Sequence, residues 1–455
     1  LKFEALDAIT LVFNRCISEG IFPDIWKHGK IVPVHKSGPR NRIENFRPVC
    51  LFGNLGKLLK CVVRQQFLNH LEHILPDNIF GFRPGRGTQD ATGNVLDAIH
   101  RHRAKGKCVA LLALDASSAF DLLNHDVIIR SLEIVGAGPL MCKWSESFLK
   151  GCKNYVQIGD SQSDSWTVDT GAGQGRRLSP DYYNLATMSQ AIFAVLSDFF
   201  GYADDGMDVV YGDTAQECNL KLQSIIAQRS EWYRKIGLAL NISKTEIMGF
   251  NFIPDPITIG NHTISAKHKI KFLGIKIQDN LKWTDHVTSL CGKITADGRH
   301  LSVSDRRILY FGWINGPLLA NGLSFLPTIN ETESKQLQTA CNNGVRAIMG
   351  LPRYGYVEVS ALRRKLNIPS ISTLTNRITA TAAWKKFHNN IPPSVSGPMT
   401  RSRESQNLPH PDQRGHLGKL SSSILTLAWN KLDSSIKKSE SLYTVKNKVK
   451  ALYKH

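Results

Sequence analysis

Residues 1–20 carry Phe3, Leu6, Ile9, Leu11 and Phe13 at near-helical spacing and predict an amphipathic helix. Residues 21–52 change to Pro, Gly and short β-like runs such as Gly29 to Val34. Helical spacing returns over 53–75, through Leu55, Leu58, Leu59, Val62, Phe67 and Leu71. Pro76-Asp77-Asn78 reads as a turn, and the Gly- and Arg-rich run Gly81 to Thr88 leads into another helix reaching His100. Cys108 to Leu114 is uninterruptedly apolar and ends at Asp115, the pattern of a strand buried on both faces. A helix is expected over Asp126 to Val135 and another over Ala215 to Ile236. Residues 245–278 look strand-rich, and the pattern from Leu281 to His388 is mostly helical. A Pro-, Ser- and Asn-rich linker over 391–415 precedes a basic helical tail.

Between two apolar runs, Ala191 to Phe200 and Met207 to Tyr211, stands Tyr202-Ala203-Asp204-Asp205. The runs read as strands and the acids as a hairpin turn. An isolated Asp-Asp pair is most simply a solvated turn. Here Asp115 also sits at the end of an apolar strand. If the strands are neighbours, the carboxylates meet at one sheet edge, where they suit a hard divalent cation such as Mg2+. Taken alone, Asp115 reads equally well as a helix N-cap, because Ala116 to Leu122 could open a helix.

Charge adds to this picture. With 57 Lys+Arg against 38 Asp+Glu the net charge is +19, which points to a polyanionic partner such as nucleic acid. No apolar run reaches the roughly 18–20 residues that span a bilayer, so a membrane is not expected as a partner. The nine cysteines are scattered without a Cys-x-x-Cys pair, against a zinc ribbon or disulfide framework and for a reducing, intracellular compartment. Nucleus and cytoplasm both stay open. The chain starts at Leu1 inside a helical pattern, so it is expected to be a fragment of a longer product.

Other basic loops carry weaker signals. Lys36, Arg40, Arg42 and Arg47 surround a Gly-Pro turn and could hold a triphosphate or simply be solvated. Gly171 to Pro180 joins glycines with Gln174, Arg176 and Arg177, suited to close approach of a phosphate-bearing ligand. Lys244 alone reads as a surface lysine.

The order of these motifs resembles the reverse transcriptases of non-LTR (LINE-type) retrotransposons. The carriers are Phe22-Pro23 with Trp26-Lys27, Asn45 to Val49, Phe80 to Arg86, and Asp115 with Ala119-Phe120-Asp121. They continue with Gln174-Gly175 and Leu178-Ser179-Pro180, Tyr202 to Asp205, Leu240-Asn241 with Lys244-Thr245, and Phe272-Leu273-Gly274. The resemblance runs from Ile21 to Ile277 and continues diffusely to His388.

It implies an α+β right-hand polymerase that copies RNA into DNA with Mg2+, or Mn2+ in its place. Residues 1–105 would form the fingers and an N-terminal extension, and 106–278 an antiparallel-sheet palm. Residues 279–390 would form a helical thumb, followed by the linker and basic helical extension over 391–455. Asp115, Asp204 and Asp205 would be the catalytic carboxylates and, with the backbone carbonyl of Ala116, the metal ligands. Lys244 would protonate the departing pyrophosphate. Phe120 would bar a ribose 2′-OH, and Gln174 and Gly175 would lie beside the nucleotide and template. Arg47 and Lys36 would contact the triphosphate. Phe272, Leu273 and Gly274 would grip the primer. The implied partners are an RNA template, a DNA primer and deoxynucleoside triphosphates, with an endonuclease domain outside this fragment.

Two positions depart from the family. Gly173 stands where it carries Pro, and Arg176 where it carries a small Ser. They keep open a nucleic-acid-binding protein without polymerase activity. An RNA-directed RNA polymerase is the third reading, and the bulk of Phe120 argues against it.

Overall fold

The computed structural model describes residues 2–117, 119–173, 177–192, 194–292, 301–312, 316–352, 354–388, 407–408, 416, 419 and 421–454. Helices and mostly antiparallel strands are mixed along the chain, which forms two units. The first comprises Leu1–Arg86, Leu114–Gly206 and Leu222–Thr245, and the second Gly87–Ala113, Met207–Lys221 and Glu246–His455.

Ten strands concern the site. They are β1 (His28–His35), β2 (Phe46–Leu51), β3 (Cys108–Ser117), β4 (Cys152–Ile158), β5 (Ser161–Gln162), β6 (Trp166–Val168), β7 (Ser197–Tyr202), β8 (Asp205–Gly212), β9 (Ala239–Leu240) and β10 (Glu246–Gly249). In the first unit β1 pairs antiparallel with β2 and parallel with β4, which also carries β5 and β6. A second sheet has the order β10-β3-β8-β7, with β9 on the far end of β3. The apolar run at 108–114 forms the strand that its pattern predicts, with Val109 to Leu112 wholly buried. β3 continues two residues past Asp115, so Asp115 is a strand residue and not a helix cap.

The core of the first unit joins helix Asn54–Glu72 to helices His125–Ile134, Pro139–Leu149 and Ser179–Thr187. The first of these lays down Leu59, Val63, Phe67 and Leu71, spaced for one helix face. Ser179–Thr187 is buried on nearly every side, including Asp181, whose carboxylate receives both Nε and Nη2 of Arg64 at 2.5 and 2.9 Å. Helix Lys2–Ser18 forms as expected, but Leu6 and Leu11 are exposed, and Phe13 and Cys16 make its buried contact.

One expected strand is shorter than its apolar run. Ser189–Ile192 is helical, and β7 starts only at Ser197. The helical turn is held from helix Ala215–Lys235, where Arg229 donates to the Gln190 carbonyl and Trp232 Nε1 to Ser189 Oγ. These polar anchors outweigh the strand propensity of the run.

In the second unit, helix Thr88–Ala104 lies against Gly316–Phe325, joined by Thr92 and Ser324 with hydroxyls 2.5 Å apart. Residues past 420 share a core with helix Ile371–Phe387. Helices Ser421–Asn430 and Leu442–Leu452 bury Trp429, Val445 and Val449 beside Ala380, Ala383 and Trp384. Of the linker at 391–415, only Asn407 and Leu408 are among the described residues.

Candidate active site

Asp115 lies at the end of β3, between strands β8 and β9 in the sheet. Its carbonyl accepts from the Asn241 amide at 2.9 Å, just beyond the β9 pairing of Ala116 with Leu240. Its carboxylate Oδ2 accepts from Asn241 Nδ2 at 3.2 Å and from Lys244 Nζ at 3.0 Å. Lys244 is carried on a short 3-10 turn, Ile242–Lys244, that follows β9 directly. The two residues are thus brought together from 129 positions apart.

The turn between β7 and β8 presents the other two acids. Ala203 takes φ 54°, a left-handed conformation that is uncommon for a residue with a Cβ. Asp204 is exposed and Asp205 partly exposed. The Tyr183 hydroxyl is pushed well above its ordinary value, first by burial, then by the charges of Tyr233, Asp204, Asp205 and Asp115. Tyr183, Asn184, Tyr233, Asp204 and Asp205 line one cleft.

The segment Asn78–Phe82 braces this turn. Gly201 donates to the Asn78 carbonyl at 2.9 Å, and Phe80 donates to the Gly201 carbonyl at 2.8 Å. A Cβ on Gly81 would stand 2.4 Å from the Ala203 nitrogen, so only glycine lets the two backbones meet. Asn184 Nδ2 donates to the Gly81 carbonyl at 2.7 Å from the buried helix Ser179–Thr187. Neither Tyr183 nor Asn184 stands out in the sequence, because a helix buried all round has no polar face to mark special residues.

Phe120 is packed between Tyr183, at 4.9 Å between ring centroids, and the edge of Phe82 at 5.9 Å. Its carbonyl accepts from the amides of Ala172 and Gly173 at 2.9 and 3.3 Å. The glycine-rich loop is thereby tied to the backbone of Phe120. Gln174 and Gly175 themselves, like Arg176, lie outside the described residues.

Arg47 is exposed on β2 opposite Val34, and Lys36 is exposed just past β1, its amide donating to the Asn45 carbonyl at 2.7 Å. In the second unit, Phe272, Leu273 and Gly274 form the turn of hairpin Lys269–Phe272 and Ile275–Gln278. Leu273 and Gly274 take φ 45° and 91°, and Asn321 Nδ2 donates to the Leu273 carbonyl at 3.2 Å.

Among the described residues no three His, Cys, Asp or Glu side chains converge as a ready-made metal cluster. Mg2+ commonly binds one or two carboxylates and completes its octahedron with water and substrate phosphates. The hard oxygen donors of Asp115, Asp204 and Asp205 fit such an ion. All nine cysteines are free thiols, and no described helix is long and apolar enough to cross a membrane.

Residues 34–277 match the family described as reverse transcriptase (RNA-dependent DNA polymerase), and the chain belongs to that family. Among curated proteins it is 25% identical over 413 residues to the probable RNA-directed DNA polymerase from transposon BS of Drosophila melanogaster. It is 24% identical over 418 residues to the RNA-directed DNA polymerase from mobile element jockey of Drosophila funebris. These alignments cover 84% and 86% of this chain but 44% of each relative, so the chain spans under half their length. A solved structure of Candida tropicalis telomerase in complex with a TWJ fragment of telomeric RNA is similar at 14% identity and a TM-score of 0.47. That match covers 85% of this chain and 66% of that one.

Proposed function

We propose that this chain is the polymerase portion of a non-LTR retrotransposon protein and extends a DNA primer on an RNA template. The observation that carries this reading is the turn of Asp204 and Asp205, braced by Gly81 and Asn184 beside Tyr183, on a strand that neighbours the one bearing Asp115. Its right-hand architecture would use the β10-β3-β8-β7 sheet as palm and the later helices as thumb. Asp115 and Asp204, supported by Asp205 and the Ala116 carbonyl, would hold Mg2+ or Mn2+. Held there, such ions would lower the cost of charge on the attacking, transferring and leaving oxygens.

The chain's own residues supply the rest. Phe120, held between Tyr183 and Phe82, closes the space that a 2′-hydroxyl needs. Lys244 is available to neutralise the departing pyrophosphate and give it a proton once it leaves Asp115. Exposed Lys36 and Arg47 are free to turn toward triphosphate oxygens. Gln174 and Gly175 follow a loop tied to Phe120, and the turn at Phe272 to Gly274 would bear on the primer end. An endonuclease on a further part of the protein would provide the nick.

The test is deoxynucleotide incorporation on an RNA template with an annealed DNA primer, with and without Mg2+, beside Asp204→Asn. Extension that needs both metal and Asp204 supports the reading. Extension by Asp204→Asn at the parent rate sinks it.

One observation favours a second reading. Gly173 takes φ 74°, which proline cannot adopt, so the backbone entering Gln174 follows a path unlike one set by proline. Duplex binding without extension, under conditions where the metal is present, would identify a nucleic-acid-binding protein that does not synthesise.

A further inference from the structure

Tyr354 and Tyr356, between helix Glu331–Ile348 and helix Val359–Leu366, lie outside the buried core. Tyr354 is 82% exposed and Tyr356 fully so, at 112%. They flank a single residue, Gly355, whose carbonyl accepts from Arg346 Nη2 at 3.4 Å. The loop is anchored at both ends. At its start the Leu351 amide donates to the Arg346 carbonyl at 2.9 Å, and Arg306 Nη1 donates to the Ala347 carbonyl at 2.8 Å. At its end Glu358 opens helix Val359–Leu366 and accepts from Arg364 Nη2 at 3.4 Å.

The surroundings are cationic. Residues 346–366 contain Arg346, Arg353, Arg363, Arg364 and Lys365 against one acid, Glu358. Arg364 and Lys365 are exposed on the last turn of their helix, and Arg307 is exposed on helix Val303–Tyr310. Exposed rings in a segment rich in guanidinium and ammonium groups meet both needs of a single nucleic-acid strand. Unpaired bases stack on aromatic faces, while the backbone phosphates pair with cations. A duplex offers no free base face to such rings, and an acidic peptide would need only the cations.

We propose that Tyr354 and Tyr356, with Arg346, Arg364 and Lys365, form a binding site for single-stranded nucleic acid, outside the segment that matches the polymerase family. It would hold an unpaired stretch of template or displaced strand. The proposal does not depend on polymerase activity.

The test measures anisotropy of labelled oligouridine RNA and oligothymidine DNA of about 15 nucleotides, a length within the usual range for such sites. Tyr354→Ser/Tyr356→Ser is expected to weaken binding roughly 30-fold or more, because two base–ring contacts are lost together. Tyr354→Phe/Tyr356→Phe is expected to bind as the parent does, since it keeps the rings. Glu358→Gln is expected to tighten binding by freeing Arg364. Equal effects on the two oligonucleotides would indicate any single strand, and a larger effect on RNA would indicate the template. Unchanged affinity in the Ser pair overturns the proposal, as does equal loss in the Phe pair. Competition by an aspartate-rich peptide as effective as by oligonucleotide would mark an acidic-protein site instead, and likewise overturns it. Extension of a fully annealed primer–template by the Ser pair reports separately on the polymerase and on folding.

Discussion

Lys244 Nζ stands 3.0 Å from Asp115 Oδ2, so the candidate proton donor and a candidate metal ligand neutralise each other. The lysine side chain is 61% exposed and the aspartate 24%, so the pair is wet and easily parted. Binding of nucleotide and metal would replace this contact, releasing Asp115 to the ion and Lys244 to the pyrophosphate. Lys244→Ala is expected to slow single-turnover incorporation about 100-fold, the scale of a lost general acid. Lys244→Arg keeps a cation but holds its proton too tightly to give it up. It should restore duplex affinity and nucleotide KM more than rate. Equal rates for Lys244→Ala and the parent would remove Lys244 from the chemistry.

The contact of Gly81 with the Asp-Asp turn makes a second prediction. A methyl at Gly81 would meet the Ala203 nitrogen at 2.4 Å, and a backbone atom cannot swing away. Gly81→Ala is expected to cost about 1–3 kcal/mol of stability by overpacking. The surviving folded enzyme should still bind duplex while incorporation falls, since the displaced atoms carry Asp204. Asn184→Leu leaves the buried Gly81 carbonyl without its donor, a loss of roughly 1–3 kcal/mol. Thermal melts beside incorporation rates check both. A variant that melts as the parent does and incorporates normally would show that the brace is idle.

Much of the backbone around this site is legible in the sequence, and the reasons for the gaps are physical. The run Cys108 to Leu114 reads as a buried strand and forms one, with Asp115 two residues before the strand ends. Tyr202 to Asp205 formed the expected turn, although the first part of the apolar run before it is helical because Arg229 and Trp232 hold it so. Asn184 and Tyr183 escaped notice because every face of their helix is covered. The packing of Trp429, Val445 and Val449 is hidden in a stretch whose many lysines predict only a basic helical tail. Long-range pairings such as Arg64 with Asp181 leave no periodic trace at all.

Phe120 offers a test of sugar selection. Its ring is held between Tyr183 and the edge of Phe82, which itself takes the left-handed φ of 62°. Phe120→Val should raise ribonucleotide over deoxynucleotide incorporation roughly 10-fold or more in kcat/KM, the scale of a vacated pocket. Phe82→Ala removes the outer support and should shift the ratio in the same direction by less. An unchanged ratio in Phe120→Val would assign that ring to the core instead of to the nucleotide.

Arg64 and Asp181 give a prediction that needs no polymerase assay. Burial raises the Asp181 carboxyl above its ordinary value, while the hydrogen bond and charge of Arg64 pull it down. In Arg64→Met the opposing pull is gone and the carboxyl rises further. A buried carboxylate without its partner costs about 3–5 kcal/mol. The folded state then binds a proton that the unfolded chain, with its ordinary carboxyl, has already released. Stability therefore falls as pH rises between the unfolded and the raised folded value. The variant's deficit should be full at neutral pH and shrink as acid protonates Asp181. Arg64→Met/Asp181→Asn should recover much of the loss and flatten the added pH dependence. Urea denaturation across the mildly acidic range reads this out, and a deficit independent of pH would show that Arg64 stabilises by packing and not by its charge.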